Sequence, residues 1–230
     1  MPRRDAKGQP PLSSRPKRGG RGVSFALISI GLTGGYATGK STVVDMLRDL
    51  GAAVVNADEL SRQVIRRGQK GWRETVDRFG EGIVGPDGEI DRALLGARVF
   101  ADPEQRRLLE SIIHPKVIVA VREAKERAAA VGEAVFVCEA PLLFEAGLTE
   151  EFDQVWVVAA DPDRQLERAS ARDQLTGEAI GQRMWAQMPL AEKAKLADLV
   201  IWNNGDLEDL RHQAGEAWRM LPSALTKKDK

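Results

Sequence analysis

Residues 34–41 read Gly34-Gly35-Tyr36-Ala37-Thr38-Gly39-Lys40-Ser41, an instance of the pattern G-x-x-x-x-G-K-[ST]. The flanks restrict what can surround it. Ahead runs Phe25-Ala26-Leu27-Ile28-Ser29-Ile30, an apolar stretch bounded by Gly31, which predicts a buried strand over 25–31. Behind, Val43, Val44, Leu47 and Leu50 recur at helical spacing, and Gly51 supplies a helix stop. A strand that feeds a helix through glycines lets the backbone curl with its N–H groups inward, and the helix N-terminus adds positive potential. Such a loop suits phosphate. Lys40 is then expected to reach the β- and γ-phosphates of a nucleotide, and Ser41 to hold Mg²⁺.

The rest of the chain supports an α/β fold. Strand signals at 25–31, 52–56, 134–138, 154–159 and 199–202 alternate with helical stretches, which predicts a parallel sheet covered on both faces. Helices are expected over 162–172, 176–188 and 207–221. Between the second and third strands lies a helical stretch of about 59–130, too long for a simple crossover and expected to form a separate lobe. Its expected breaks are Gly68, the turn Gly85-Pro86-Asp87-Gly88, Asp102-Pro103 and His114-Pro115.

Composition narrows the class further. Formal net charge is zero over 230 residues, so the chain carries no polyanion-binding signature and no nucleic-acid partner is expected. No apolar run reaches the length of a membrane span. Cys138 is the single cysteine, which rules out an intramolecular disulfide and fits a reducing cytoplasm. Residues 1–24 form a basic, Pro- and Gly-rich tail expected to be disordered, and residues 223–230 are expected to fray.

Several side chains are candidates for chemistry. The helix after the loop descends about 16 Å, and the second strand climbs back about 20 Å. Asp58 should therefore return to the carboxyl edge of the sheet, where ligands bind in open α/β folds. A carboxylate there accepts a proton from an attacking hydroxyl or helps hold Mg²⁺; capping the helix from Glu59 is the structural alternative. Arg164, Arg168 and Arg172 share one helix face, and arginine forks suit a transferring phosphoryl group; a solvated face paired with Asp161, Glu167 and Asp173 is the alternative. Glu139 follows the third strand, a position where an acid can stand near Mg²⁺. The run Pro141-Leu142-Leu143-Phe144-Glu145 leaves the sheet as an apolar loop, or as a plain strand exit. A lone His114 and the five tryptophans read as structural.

Taken in order, these residues resemble the dephospho-CoA kinase family. The resemblance rests on Gly31-Leu32-Thr33-Gly34-Gly35 leading to Gly39-Lys40-Ser41-Thr42, then Asn56-Ala57-Asp58 with Arg62, Phe79-Gly80, Asp91-Arg92, Val99-Phe100 and His114-Pro115. It continues through Pro141-Leu142-Leu143-Phe144-Glu145, Arg168 with Arg172, Gln187, Lys193, Ala197-Asp198 and Asn203-Asn204-Gly205, and covers about 25–222. It implies ATP-dependent phosphorylation of the ribose 3′-hydroxyl of dephospho-CoA with Mg²⁺, the last step of coenzyme A synthesis. It also implies a P-loop kinase core, a helical CoA lobe and a small lid at about 162–190. Carried over residue by residue, the loop from Gly35 through Tyr36, Ala37, Thr38, Gly39, Lys40 and Ser41 to Thr42 binds ATP. Asp58 and Lys40 act in catalysis, with Arg172 and Arg168 closing from the lid; Arg62, Pro141, Leu142, Leu143 and Phe144 join Asp58 against the substrate; Ser41 and Glu139 face the metal. Two positions depart from the family pattern: Asn56 stands where Asp is usual, and Glu139 where Asp is frequent. Another small-molecule or nucleotide kinase of the same architecture is the rival, and a nucleotide-dependent switch or nucleic-acid-bound ATPase is a more distant one. The first does not require the His-Pro pair and the Pro141–Glu145 run together; against the second stand the zero net charge and the lack of an Asn-Lys-x-Asp stretch for guanine recognition.

Overall fold

A computed structural model describes residues 27–173, 176–185 and 187–222, with the side chain of Trp185 excepted. The expected basic tail, the first two residues of the predicted first strand and the expected frayed C-terminus lie outside the described residues. The described residues divide into two compact units: one comprises those up to Val54 and from Arg127 onward, the other is Val55–Glu126.

In the first unit the sheet order is β2-β3-β1-β4-β5, from β1 (Ile28–Gly34), β2 (Ala53–Asn56), β3 (Val135–Glu139), β4 (Gln154–Ala159) and β5 (Leu199–Trp202). β1 pairs in parallel with β3 and with β4, and β4 with β5. β1 and β3 are buried along their whole length, as expected of parallel strands covered on both faces. Side-chain alternation sorts the two faces. Trp156 and Val158 of β4 join Ile30 and Leu32 of β1 in a core completed by α1 (Lys40–Asp49) and α9 (Leu207–Arg219). Val157 and Ala159 point the other way, into a cluster with Val200, Phe144 and Leu190. Leu190 opens α8 (Leu190–Leu196), which the sequence did not disclose. Before it come α6 (Pro162–Asp173) and α7 (Gly177–Trp185).

β1 runs three residues past the predicted limit at Gly31. The glycine is there for space. A Cβ at Gly31 would sit 2.5 Å from Leu143 Cδ1 and 2.7 Å from Phe152 Cδ2, so only a bare backbone lets these side chains lie against the strand.

The second unit is helical: α2 (Ala57–Val64), α3 (Lys70–Phe79), α4 (Arg92–Ala101) and most of α5 (Pro103–Ala130). Its core holds Val76, Phe79, Ile83, Ile90, Leu95 and Ile112. The expected turn at Gly85–Gly88 closes with Gly88 N–H donating to Gly85 O at 2.9 Å, and Val84 pairs antiparallel with Ile90. Asp102 starts α5 by accepting from Glu104 N at 2.8 Å, with Pro103 in the first helical position. The predicted break at His114-Pro115 does not occur, because α5 continues through Pro115. An interior proline costs about 3 kcal/mol through its missing N–H and its clash with the preceding turn. Burial of Ile112, Val117 and Val121 around it outweighs that, at about 1.5–3 kcal/mol each. No helix among the described residues is long and apolar enough to cross a membrane.

Candidate functional site

The loop between β1 and α1 is shaped by two residues in the left-handed region, Ala37 (φ 55°) and Gly39 (φ 86°). Ala37 pays for this with its Cβ, about 1–2 kcal/mol, a strain of the kind that collects at ligand sites. At Gly39 no side chain fits at all, since a Cβ would lie 2.3 Å from Asn203 Nδ2. Gly39 caps α1 without a side-chain acceptor, so the first-turn N–H groups are left for an anion. Lys40 folds over the loop, its Nζ donating to Gly35 O at 2.6 Å and reaching Gly34 O at 3.4 Å. The ammonium therefore stands at the mouth of the cradle that its own loop forms.

A strut holds the loop from behind. Asn203, just past β5, donates through Nδ2 to Thr38 O at 2.9 Å and through its backbone N–H to Ala159 O at 2.7 Å. Arg168 braces Asn203 from α6, Nη1 to its carbonyl at 2.8 Å and Nη2 to its Oδ1 at 3.1 Å. Burial and the neighbouring Arg164 lower the Arg168 pKa from its ordinary value. Of the three arginines on the predicted face, then, Arg164 pairs with Glu167 on the surface, Arg168 props the loop, and Arg172 alone lies against a loop side chain.

That side chain is Tyr36. The Arg172 guanidinium lies 5.3 Å from its ring centroid and the Arg183 guanidinium 5.7 Å. Arg172 forks onto Asp173, Nε to Oδ1 and Nη2 to Oδ2, both at 2.8 Å. The Tyr36 hydroxyl also donates to Asp173. The fork raises the Arg172 pKa, and Arg172 followed by Tyr36 lowers that of the Asp173 carboxyl. Sequence spacing points to Arg172 but not to Arg183, because a helix-face repeat carries no information about a partner on a neighbouring helix, and it names Tyr36 only as one residue of the ATP loop.

Ser41 and Glu139, the two expected metal-facing residues, lie within hydrogen-bond distance of each other. Ser41 Oγ donates to Glu139 Oε1 at 3.3 Å, with Glu139 the last residue of β3 rather than the first beyond it. No group of three or more His, Cys, Asp or Glu side chains converges among the described residues. A hydroxyl and one carboxylate, both hard oxygen donors beside a phosphate cradle, fit a cation that takes its remaining ligands from phosphate and water, which is the habit of Mg²⁺.

The loop after β3 is pinned from both sides. Pro141 O accepts from Thr33 Oγ1 at 3.1 Å and from Lys193 Nζ at 2.9 Å. Lys193, with no exposed side-chain surface, also pairs with Glu145 Oε1 at 3.0 Å. Leu143 is fully buried and serves packing, Phe144 is half-buried, and Leu142 is exposed as the loop's apolar surface.

In the helical unit, Asp58 lies exposed in the first turn of α2. It is not the helix cap. Asn56 is, accepting from Asp58 N at 2.8 Å and Glu59 N at 3.1 Å, a cap that an Asp would make equally well and that leaves the Asp58 carboxylate out of the capping bond. Arg62, one turn on, lines a cavity of about 310 Å³ together with Ile65, Arg66, Glu89, Ile90 and Arg92. Three guanidinium groups against one carboxylate make that wall suited to a polyanion.

A parallel sheet with a lysine-bearing phosphate loop at its carboxyl edge, helices on both faces and arginines reaching the loop from α6 and α7 defines a P-loop kinase fold. The sequence profile of dephospho-CoA kinases matches residues 28–209, and the chain belongs to that family. It is 49% identical over 186 residues to the dephospho-CoA kinase of Geobacillus kaustophilus, covering 81% of this chain and 92% of that one. It is 44% identical over 196 residues to the enzyme of Thermosynechococcus vestitus, covering 85% and 95%. Among solved structures, the dephospho-CoA kinase of Campylobacter jejuni superposes with a TM-score of 0.64 at 29% identity, over 83% of this chain and 95% of that one. A Thermus thermophilus structure superposes with a TM-score of 0.72 at 34% identity, over 86% and 99%.

Proposed function

We propose that this chain transfers the γ-phosphoryl group of ATP to the ribose 3′-hydroxyl of dephospho-CoA, giving coenzyme A and ADP in the cytoplasm. The observation that carries the reading is the Lys40 ammonium folded onto the Gly34 and Gly35 carbonyls, over a loop whose N–H groups have no side-chain cap. Family membership supplies the acceptor.

Little covalent chemistry falls to the protein in phosphoryl transfer; positioning and charge do most of it. The amides from Gly35 to Ser41, with Thr42 the third residue of α1, hold the triphosphate, and Lys40 spans its β- and γ-phosphates. Ser41 and Glu139 would hold Mg²⁺, which neutralises phosphate charge when bound. Arg172 offers its fork to the transferring group, while Arg168 keeps the loop in shape through Asn203. Asp58, its carboxylate free of the capping bond, accepts the hydroxyl proton. The arginine-lined cavity at Arg62 takes the diphosphate of dephospho-CoA, and the Pro141–Phe144 loop offers Leu142 to its apolar parts.

The test is a coupled ATP-consumption assay with dephospho-CoA, AMP, adenosine, shikimate and gluconate as acceptors, with the product's phosphate placed by ³¹P NMR. Dephospho-CoA should give the highest kcat/KM by a wide margin, because remote binding energy orients the reacting hydroxyl. Equal rates with AMP, or phosphate on any other oxygen, would overturn the assignment in favour of a nucleotide or other small-molecule kinase.

A further inference from the structure

We propose that Arg183 is a second phosphate-contacting arginine of this site, held ready by Tyr36, and that Asp173 is a stand-in anion which nucleotide phosphate displaces. The inference rests on the reading of the loop as an ATP site, though not on the identity of the acceptor.

Tyr36 lies between Gly35, whose carbonyl takes the Lys40 ammonium, and Ala37, whose backbone is in the left-handed region. Whatever rests on its ring therefore stands at the rim of the phosphate cradle. Two guanidinium groups do so, from two different helices: Arg172 in the last turn of α6 and Arg183 in α7. An arginine over an aromatic face is favourable, and one such pair is common. Two on one ring, in a loop built for anions, place two positive charges side by side, which disfavours the arrangement unless an anion sits with them.

The anion present is Asp173, and it is shared unevenly. It takes a bidentate fork from Arg172 and the hydroxyl proton of Tyr36. Arg183 donates only to the Tyr36 hydroxyl oxygen, at 3.0 Å, and forms no ion pair among the described residues. Two guanidinium groups, one carboxylate and one neutral phenol leave an excess charge of +1 in the cluster. Arg183 thus keeps a charge that Asp173 offsets only through space and, among the described residues, N–H donors to spare, tethered by a neutral hydroxyl that it can leave at little cost. A phosphate entering the cradle supplies what the cluster lacks, and arginine forks match its oxygens better than a single carboxylate can satisfy two of them.

The alternative is a structural clamp that only fastens α7 to the loop. The two roles separate in nucleotide affinity and in turnover. Calorimetry with ATP and ADP needs no acceptor, so it tests this inference even if the acceptor assignment fails. Arg183→Ala should weaken ATP binding five- to tenfold and lower kcat about 10²–10³-fold, below the largest arginine-finger effects because Arg172 remains. The KM for dephospho-CoA should change less than threefold, and Arg183→Lys should recover at least tenfold of the lost kcat by restoring the charge. Asp173→Asn should tighten ATP three- to tenfold, since the phosphates no longer compete with a carboxylate. Tyr36→Phe, which keeps the ring and removes the tether, should lower kcat three- to tenfold. An Arg183→Ala protein with wild-type ATP affinity and kcat within threefold overturns the proposal. So does a kcat loss that lysine does not relieve and that comes with a melting temperature lowered by several degrees, because that is the clamp.

Discussion

Lys193 and Glu145 offer a sharp energetic test, because the pair is unevenly buried. The Lys193 side chain has no exposed surface, whereas that of Glu145 is 27% exposed. Consider Lys193→Met, which keeps the length and packing of the side chain. Pro141 O keeps its bond from Thr33 Oγ1, and Glu145 Oε1 keeps its bond from Met188 N at 2.8 Å. No partner is orphaned, so the loss is that of two hydrogen bonds, net about 1–2 kcal/mol after the gain from burying an apolar chain. Consider next Glu145→Gln, which changes the shape hardly at all. It leaves a fully buried ammonium with a carbonyl and an amide for company, at a cost of about 3 kcal/mol. For a chain of this size that lowers Tm by about 6–12 °C. The double variant Lys193→Met/Glu145→Gln removes the stranded charge and should be more stable than Glu145→Gln alone by about 1–2 kcal/mol. A second substitution would thus restore part of what the first took away.

Urea unfolding at pH 7 on the four proteins measures this directly. If the double variant is less stable than Glu145→Gln alone, the pair is an ordinary surface bridge and the burial argument fails. pH gives an independent check. Burial raises the Glu145 carboxyl pKa, but the Met188 N–H and the Lys193 ammonium more than offset it, leaving it lower than usual. A carboxyl with a depressed folded-state pKa stabilises fully above its unfolded value, about 4.3, and loses that contribution as pH falls through the folded value. The gap between wild type and Glu145→Gln should be complete at pH 7 and close below about pH 4.

Three further outcomes are expected. Lys40→Ala should leave the fold intact and cut kcat by at least about 10³-fold, since its charge matters most in the transition state; near-normal turnover in steady-state assays would relocate the nucleotide site. Asp58→Asn should lower kcat about 10²–10⁴-fold with ATP–Mg²⁺ affinity measured by calorimetry nearly unchanged, and with no loss of Tm because Asn56 holds the cap; proportional loss of ATP–Mg²⁺ binding would make Asp58 a metal residue. Arg62→Ala should raise the KM for dephospho-CoA about tenfold or more while the KM for ATP stays within twofold, as loss of one charge-assisted contact predicts; the opposite split would remove the Arg62 cavity from the acceptor site.

What the sequence disclosed and what it withheld follow one physical division. β4 and β5 fall at 154–159 and 199–202 as read, because uniformly apolar runs between turn residues need no information from elsewhere. The loop at 34–41 was legible for the same reason: glycines, a lysine and a hydroxyl act through their own backbone. Features decided by a distant partner were not legible. Gly31 reads as a strand end until Leu143 and Phe152 are known to need its space. Pro115 reads as a break until the burial of Ile112, Val117 and Val121 is known to outweigh it. α8 was hidden because its buried face includes Lys193, whose burial depends on Glu145 and Pro141 some fifty residues earlier. The same division runs through the site. Lys40, Ser41 and Glu139 could be named from spacing and from strand ends, whereas the divergence of Arg168 and Arg172 could not. They sit one turn apart on α6, yet one meets Asn203 and the other Tyr36. A repeat of identical side chains on a helix fixes only a shared face. Function is assigned by what that face meets, and here one turn separates an arginine that shapes the phosphate loop from one that stands at its mouth.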